Sequence, residues 1–150
     1  MFVDTYALRG AGDNLEILTL RRSASGRCPG SWETVHGTIE PGETPVQASM
    51  RELREETGLV PDKFYNLSRT EAFYQHRTNE LALIPVFAAF VAPGATVRLS
   101  GEHDRAEWLK ARDAAARFAW PRERRAMDDI LSIVGGGDAG LLEDVLRVSY

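Results

Sequence analysis

The chain has no pair of cysteines, no apolar run of membrane-spanning length and no excess of basic residues. Cys28 is its only cysteine among 150 residues, which excludes a disulfide within the chain. The longest apolar run, residues 81–91, is too short to cross a bilayer and is interrupted by Pro85. Acidic residues outnumber lysine plus arginine by 22 to 18, so we expect neither a nucleic-acid partner nor a membrane-surface partner.

The N-terminus has no basic region followed by an apolar core, so the sequence predicts no secretory signal. A cytoplasmic location is the expectation that follows. Hydrophobic residues make up 43% and charged residues 27% of the chain, which is typical of a soluble globular domain. A chain of 150 residues is long enough for one domain with a substantial core.

A stretch of 23 residues, 37–59, carries regularly placed glycine and charged positions. Gly37 is followed by Glu43, then by the runs 51–53 (Arg-Glu-Leu) and 55–56 (Glu-Glu), and finally by 58–59 (Gly-Leu). So many defined positions over so short a distance rarely arise by chance in a solvated charged helix. We therefore treat the stretch as a functional device.

The second half of this stretch predicts a helix from Pro45 to Thr57. Thr44 is an N-cap residue, the proline occupies the first helical position, and Gln47 occupies the third. Gly58 is a C-terminal stop, and Pro61 prevents the helix from continuing.

The faces of this helix predict a metal site. Apolar side chains at spacings i, i+4 and i+7 form the expected buried stripe, which is Val46, Met50 and Leu53. Carboxylates at spacings i, i+3 and i+4 share another face, and they are Glu52, Glu55 and Glu56. Three neighbouring carboxylates repel one another unless a cation lies among them. Hard oxygen ligands favour Mg²⁺, with Mn²⁺ as a substitute.

The pattern of residues 37–59 is that of the Nudix box, and the chain resembles Nudix hydrolases. The resemblance implies an α+β fold with a mixed β-sheet sandwiched between helices, in which a strand–loop–helix unit holds the metals. It implies a set of metal ligands: Glu52, Glu55, Glu56 and the backbone carbonyl of Gly37. It also implies that Arg51 orients Glu43.

A wider resemblance, over residues 15–130, points to the dihydroneopterin triphosphate and dATP pyrophosphatase branch. It is carried by the segment 31–44 (SWETVHGTIEPGET), by the pair Arg21-Arg22, and by Glu102-His103 ahead of residues 107–109 (Glu-Trp-Leu). In several family members a glutamate from a late loop lies near the metals, so the resemblance makes Glu102 a ligand or general base. The alternative for Glu102 is an ordinary surface residue.

Four residues are candidates for contacting substrate: Arg21, Arg22, His36 and Glu40. Arginine forks match phosphate geometry, but neighbours on a strand point to opposite faces, so at most one of the two arginines reaches the site. His36 stands where many family members have glycine, and a structural histidine is an equal alternative. The aromatic residues Phe73, Tyr74 and His76 could stack on a base, although aromatics at strand spacing are more often core.

The remaining pattern predicts short strands, two further helices and a tail. The predicted strands cover residues 3–9, 15–22, 32–36, 64–75, 81–91, 96–99 and 105–109. The predicted helices cover residues 111–118 and 121–134, the latter with Met127, Ile130, Leu131 and Val134 on one side. Pro85 predicts an edge strand or a bulge. Residues 1–134 form the predicted domain, and 135–150 form a glycine-rich break and a short helical tail of the same domain.

The resemblance implies Mg²⁺-dependent hydrolysis of a nucleoside diphosphate linked to another group. The leading interpretation is a (deoxy)nucleoside or pterin triphosphate that yields a monophosphate and pyrophosphate. The alternatives are a dinucleoside polyphosphate, a nucleotide sugar or an mRNA cap as substrate, or a non-catalytic binding module. The intact box glutamates argue against the binding module. The general base is Glu102, or Glu52 if Glu52 binds metal only through water. Family members are often dimers, which leaves a homodimer open.

Overall fold

The computed structural model describes residues 1–150 and is built around a mixed seven-stranded sheet. The strands are β1 (Phe2–Arg9), β2 (Glu16–Arg22), β3 (Trp32–Glu33), β4 (Val35–Thr38), β5 (Lys63–Gln75), β6 (Glu80–Phe90) and β7 (His103–Leu109). The helices are α1 (Pro45–Thr57), α2 (Ala111–Arg117), α3 (Pro121–Asp129) and α4 (Glu143–Leu146). None of them is long and apolar enough to cross a membrane.

Strand β1 organises the sheet because it has partners on both edges. It runs parallel to β6 and antiparallel to β4 and β2, which pair with its first and second halves. Strand β7 pairs with the far side of β2, and β5 pairs with β6. The register of β4 on β1 sets Gly37 opposite Val3, so the loop that leads to α1 leaves from the middle of the sheet.

Each face of the sheet carries its own hydrophobic cluster, so the predicted sandwich of a mixed sheet between helices is confirmed. Tyr6 and Leu8 of β1 pack in a cluster that contains Phe118, Met127 and Ile130. Val3 and Ala7 point the other way, into a cluster that contains Leu53 of α1. The alternation along β1 separates these two sets, as the period of two along a strand requires.

The bounds predicted for α1 are confirmed by the structure. Thr44 accepts a hydrogen bond from the Gln47 backbone, the Gln47 side chain accepts one from Thr44, and Gly58 ends the helix with φ 70°. The predicted buried stripe was only partly right, because Val46 and Met50 are half-buried. The buried residues of α1 are Ala48, Ser49, Leu53, Glu56 and Thr57. One of the predicted metal ligands, Glu56, therefore lies on the inward face of the helix.

The predicted strand at residues 96–99 was wrong, because this segment has no strand partner. The backbone N–H of Arg98 donates to the Thr57 carbonyl (2.7 Å), and that of Ser100 donates to the Glu56 carbonyl (3.3 Å). These bonds satisfy carbonyl groups at the end of α1 that have no partner within the helix. The segment consequently carries the chain past the box glutamates.

Three other predictions are refined by the structure. Pro85 lies in β6 just before its ladder with β1, which begins at Val86, so at Pro85 the strand is paired only with β5, as an edge position requires. The bulge lies on the partner strand, as a register shift between Asn66 and Thr70 of β5. The predicted strand 32–36 is divided into β3 and β4. The predicted helix 121–134 becomes a π-helical turn from Ile130 to Val134, and Leu131 is exposed rather than buried.

The C-terminal tail packs on the core through α4 and the residues that follow it. Leu146 of α4 is buried in the same cluster as Tyr6. The Val148 backbone donates to the Phe64 carbonyl (2.8 Å), and the Tyr150 hydroxyl donates to the Pro61 carbonyl (2.6 Å). Leu142 and Val145 of the tail are exposed.

Candidate active site

Arg51 lies among the carboxylates of the box and binds several of them. Its Nε and Nη2 atoms donate to the two oxygens of Glu43 at 2.8 and 2.9 Å, and Nη2 also donates to the Thr38 carbonyl at 2.9 Å. Its Nη1 atom donates to Glu52 at 2.8 Å and to Glu55 at 3.2 Å. The two-pronged contact with Glu43 is the strongest geometry available to an arginine and a carboxylate. It anchors the loop before α1 to the helix.

Glu43 is held ionised by this contact. The hydrogen bond from Arg51, together with one from the Glu40 backbone, lowers the pKa of Glu43 to about 2. The side chain of Glu40 is exposed, and only its backbone takes part in the loop.

Gly37 allows the closest approach between β4 and α1. A Cβ atom at this position would lie 2.0 Å from Cδ of Glu52, a separation that no side chain tolerates. The glycine therefore leaves the space into which the Glu52 carboxylate extends. This places the backbone of residue 37 against one of the predicted metal ligands.

The three box glutamates lie in three different environments. The side chain of Glu55 is 59% exposed, that of Glu52 is 14% exposed, and that of Glu56 is 3% exposed. Burial raises the pKa of Glu52, Arg51 lowers it, and Glu55 and Glu102 raise it again, with a net increase. Burial also raises the pKa of Glu56 well above its ordinary value, and the negative charges of Glu52 and Glu102 raise it further.

These residues fit a hard divalent cation. The Oε2 atom of Glu56 is buried without a hydrogen-bond partner, Gly37 leaves room beside Glu52, and every donor is an oxygen. No three acidic, histidine or cysteine side chains surround one point in this structure, and Arg51 donates to both Glu52 and Glu55. Glu52, Glu55 and Glu56 are the side chains that would hold a cation.

A cleft of about 1100 Å³ opens along β3, β4, the outer part of β5 and the start of α3, and no residue of the box lines it. Its arginine and histidine side chains are Arg22, Arg27, His36, His76, Arg77, Arg122 and Arg125. Its aromatic side chains are Phe2, Phe73, Tyr74 and Trp120. Phe2 stacks on His36 with ring centroids 5.2 Å apart. The combination of guanidinium groups and flat rings suits an anionic ligand with an aromatic ring.

A model of the NUDIX domain family matches residues 3–130. The chain belongs to the NUDIX domain family. The match covers the whole sheet and the helices α1 to α3, so the family assignment extends far beyond the 23-residue box.

Relatives of the chain include proteins with different names. An octanoyltransferase of Myxococcus xanthus is 36% identical over 117 residues, which are 77% of this chain and 32% of that protein. An 8-oxo-dGTP diphosphatase of Escherichia coli K12 is 40% identical over 65 residues, 43% of this chain and 50% of that protein. The chain thus spans half or less of these two relatives. The nucleoside triphosphatase NudI of E. coli O1:K1 is 29% identical over 108 residues, 67% of this chain and 77% of that protein.

Solved structures share the NUDIX fold with this chain. The Ap4A hydrolase of Caenorhabditis elegans aligns with a TM-score of 0.74 and 20% identity over 90% of this chain and 97% of its own. The dihydroneopterin triphosphate pyrophosphohydrolase of E. coli aligns with a TM-score of 0.67 and 25% identity, over 84% of this chain and 92% of its own.

Of the residues predicted to contact substrate, the structure brings two to the cleft of this NUDIX domain. Arg22 and His36 line the cleft. Arg21 points to the other side of β2, where it binds the exposed Asp104 at 2.7 Å, as the alternation along the strand predicts. His36 binds the buried carboxylate of Asp4 through Nδ1 at 2.7 Å.

Glu102 lies directly before β7, in the loop that follows the segment bonded to the end of α1 through Arg98 and Ser100. Its backbone carbonyl accepts from the Ser23 N–H at 2.9 Å, and its side chain is exposed. Its negative charge contributes to raising the pKa values of both Glu52 and Glu56. This position is compatible with the predicted role as a base.

Sequence reasoning missed a second set of charged residues that the fold brings to the site. Glu33, His103, Asp4 and Arg122 all belong to it. Arg122 donates to Asp4 at 2.8 Å, and His103 meets Glu33 at 2.9 Å. Each pair joins residues far apart in the chain, and no local pattern marks them. The only signal for His103 was its position next to Glu102.

Proposed function

We propose that this NUDIX domain hydrolyses a (deoxy)nucleoside or pterin triphosphate to the monophosphate and pyrophosphate, with Mg²⁺ as its metal. The observation that carries the proposal is Glu56, a buried carboxylate with an unpaired oxygen beside two further box glutamates. An unpaired buried carboxylate surrounded by like charges is costly, and a bound cation relieves both costs.

The box residues would hold the metal and prepare the site. Glu52, Glu55, Glu56 and the Gly37 carbonyl are the proposed ligands, and bound Mg²⁺ would neutralise phosphate charge and acidify water. Arg51 keeps the loop in place through its two bonds to Glu43. A fixed loop reduces the reorganisation that the reaction needs.

In the proposed reaction water attacks a phosphorus atom of the triphosphate. A new P–O bond forms, the bond to the bridging oxygen breaks, and pyrophosphate leaves with the bonding electrons. Glu102 takes the proton from the attacking water, because it is exposed and near Glu52 and Glu56. Glu52 is the alternative base if it contacts the metal only through water.

The cleft supports a nucleotide-like substrate. Arg22 and Arg122 line it with guanidinium groups, while Trp120 and Phe73 line it with aromatic rings. The similarity to the E. coli dihydroneopterin triphosphate pyrophosphohydrolase and to the nucleoside triphosphatase NudI agrees with a triphosphate. A second candidate, a dinucleoside polyphosphate, is favoured by the cleft volume of about 1100 Å³, which is at the upper end for small-molecule sites.

The test is turnover of a substrate panel with Mg²⁺ or Mn²⁺, with products separated by anion exchange. The panel contains nucleoside and pterin triphosphates, dinucleoside polyphosphates and nucleotide sugars. We expect pyrophosphate and a monophosphate from a triphosphate. Cleavage restricted to linked dinucleotides or sugars would replace the proposed substrate and keep the metal site. Absence of any metal-dependent product would overturn the proposal in favour of a binding module.

The role of Glu102 is tested by Glu102→Gln on the best substrate of that panel. We expect turnover to fall by roughly 100-fold, the lower range for loss of a general base, with Mn²⁺ affinity nearly unchanged. Glu80→Gln is the matched control, since Glu80 is an exposed glutamate on β6 that belongs neither to the box nor to the lining of the cleft. Wild-type turnover in Glu102→Gln would show that Glu102 is an ordinary surface residue and would favour Glu52 as the base.

A further inference from the structure

A line of buried side chains connects the cleft to the innermost box glutamate. Arg22, which lines the cleft, donates from Nη1 to Glu33 Oε1 at 2.8 Å. The same oxygen of Glu33 lies 2.9 Å from Nε2 of His103. On its other side, Nδ1 of His103 lies 3.8 Å from Oε2 of Glu56.

Each ring nitrogen of His103 faces a carboxylate, but only Nε2 is within hydrogen-bond distance of one. The side chain of His103 is 1% exposed, and Nδ1 has no hydrogen-bond partner. The facing oxygen of Glu56 has none either. At 3.8 Å the two atoms are too far apart for a hydrogen bond. Two buried polar atoms without hydrogen bonds destabilise the folded protein, and a functional role would explain why they are kept.

Glu33 fixes the orientation of the ring. It is 4% exposed, and its bond to Nε2 leaves Nδ1 directed at Glu56. Burial raises the pKa of Glu33, but hydrogen bonds from His103 and Arg22 outweigh it and keep the pKa below its ordinary value. A charged Glu33 held by Arg22 is a firm anchor for the imidazole ring.

We propose that His103 is a positioning residue for Glu56: anchored by Glu33, its ring limits where the Glu56 carboxylate can lie and so prepares it to bind a divalent cation. The inference deepens the proposed function, since it concerns the same metal site. Residues that orient a metal ligand without touching the metal commonly change affinity by roughly 10–100-fold when they are replaced.

The test is the affinity of the EDTA-stripped full chain for Mn²⁺, measured by calorimetry or electron paramagnetic resonance well below the melting temperature of each variant. His103→Gln can still reach Glu33 but presents no nitrogen to Glu56. His103→Asn can face Glu56 but cannot reach Glu33. We expect both to bind Mn²⁺ about 10–100-fold more weakly than the wild type.

A neighbouring control separates positioning from general destabilisation. Asp104→Asn changes the next residue of β7, whose carboxylate pairs with the exposed Arg21, and should leave Mn²⁺ affinity unchanged. A purely structural His103 would lower the melting temperature of its variants without changing Mn²⁺ affinity, and that result overturns the inference. The proposed function would survive it as long as Glu56→Gln abolishes Mn²⁺ binding.

A third variant decides the matter if neither His103 variant folds. Glu33→Asp keeps the negative charge near Glu56 but shortens the side chain, so the contact with His103 is lost. Weaker Mn²⁺ binding by Glu33→Asp supports the positioning role, because the charge is unchanged. Wild-type affinity in this variant contradicts it.

Discussion

Two buried glutamates, Glu56 on α1 and Glu123 on α3, are alike in burial and opposite in surroundings. Both are at most 3% exposed, and each has an Oε2 atom without a hydrogen-bond partner. Burial raises the pKa of both carboxyl groups well above the ordinary value. Burial and a raised pKa therefore do not single out Glu56 as the proposed metal ligand.

The charges nearby do distinguish them. Around Glu56 the groups that act most strongly after burial are Glu52, Glu102 and Glu33, all of which raise its pKa further. The negative charge of Asp4 also raises the pKa of Glu123, but Arg122, 3.9 Å away, opposes it, and the Thr34 backbone donates a hydrogen bond to Glu123 at 3.4 Å. An excess of negative charge around a buried carboxylate is what a cation site requires, whereas a carboxylate with its own arginine and backbone donor needs none.

The largest expected effect comes from replacing Glu56, the glutamate surrounded by negative charge. Glu56→Gln removes a proposed metal ligand while keeping the shape of the side chain, and we expect turnover to fall by at least about 100-fold, which corresponds to nearly 3 kcal/mol of barrier. Mn²⁺ binding, measured by calorimetry, should be lost as well.

Glu123→Gln is the matched control for that experiment. It makes the same chemical change at an equally buried site, and it should leave Mn²⁺ affinity at the wild-type level. If Glu123→Gln weakens Mn²⁺ binding and Glu56→Gln does not, the assignment of the two glutamates is reversed and the account of the site fails.

A smaller effect is expected from Arg51→Lys, which tests the arginine of the box. Lysine keeps the charge but cannot bind both oxygens of Glu43 and the Thr38 carbonyl in one plane. We expect turnover to fall by roughly 10–100-fold, as for other residues that orient a metal site. The control is Arg54→Lys, an exposed position on the same helix, and equal turnover in the two variants would show that the fork on Glu43 is dispensable.

The smallest effect concerns the pH dependence of stability at Glu123. Its pKa is raised in the folded protein by burial and by Asp4, against the opposing charge of Arg122. A raised pKa means that the stabilising contribution is present below the ordinary glutamate range and is lost as the pH rises through the folded-state value. We therefore expect Glu123→Gln to become more stable relative to the wild type as the pH rises above about 4.5.

Urea denaturation of the wild type and Glu123→Gln between pH 4 and pH 8 measures this difference, with Mg²⁺ excluded by EDTA. The comparison of two proteins cancels the titration of other groups to first order. A difference in unfolding free energy that stays constant with pH would show that Glu123 is already compensated by Arg122 and the Thr34 backbone.

Local features of the sequence were sufficient to predict the helix that carries the site. The bounds of α1, Pro45–Thr57, match the prediction, because Thr44, Gln47 and Gly58 act on the helix ends through short-range bonds. The contact between Arg51 and Glu43, which the structure contains, was implied by the resemblance to the Nudix box. The strand at residues 96–99 was predicted wrongly, because the segment bonds to the end of α1 and not to a strand.

Long-range contacts could not be predicted from one sequence. His103 and Glu33 are 70 residues apart in the chain, and Asp4 and Arg122 are 118 apart. Nothing in the local pattern around either pair indicates its partner. The burial of Glu56 was missed for a related reason, since helical periodicity grouped it with Glu52 and Glu55, whereas in the folded chain it lies next to the buried His103. The roles of Glu102, Glu40 and the metal ligands stay predictions.

The most direct test of the central claim is a crystal structure with Mn²⁺, in which anomalous scattering locates the metal. We predict an anomalous peak bounded by the carboxylates of Glu52, Glu55 and Glu56 and by the Gly37 carbonyl, with Arg51 still bound to Glu43. A peak beside Asp4 and Glu123, or Mn²⁺ bound in solution with no peak at the box, would contradict the account.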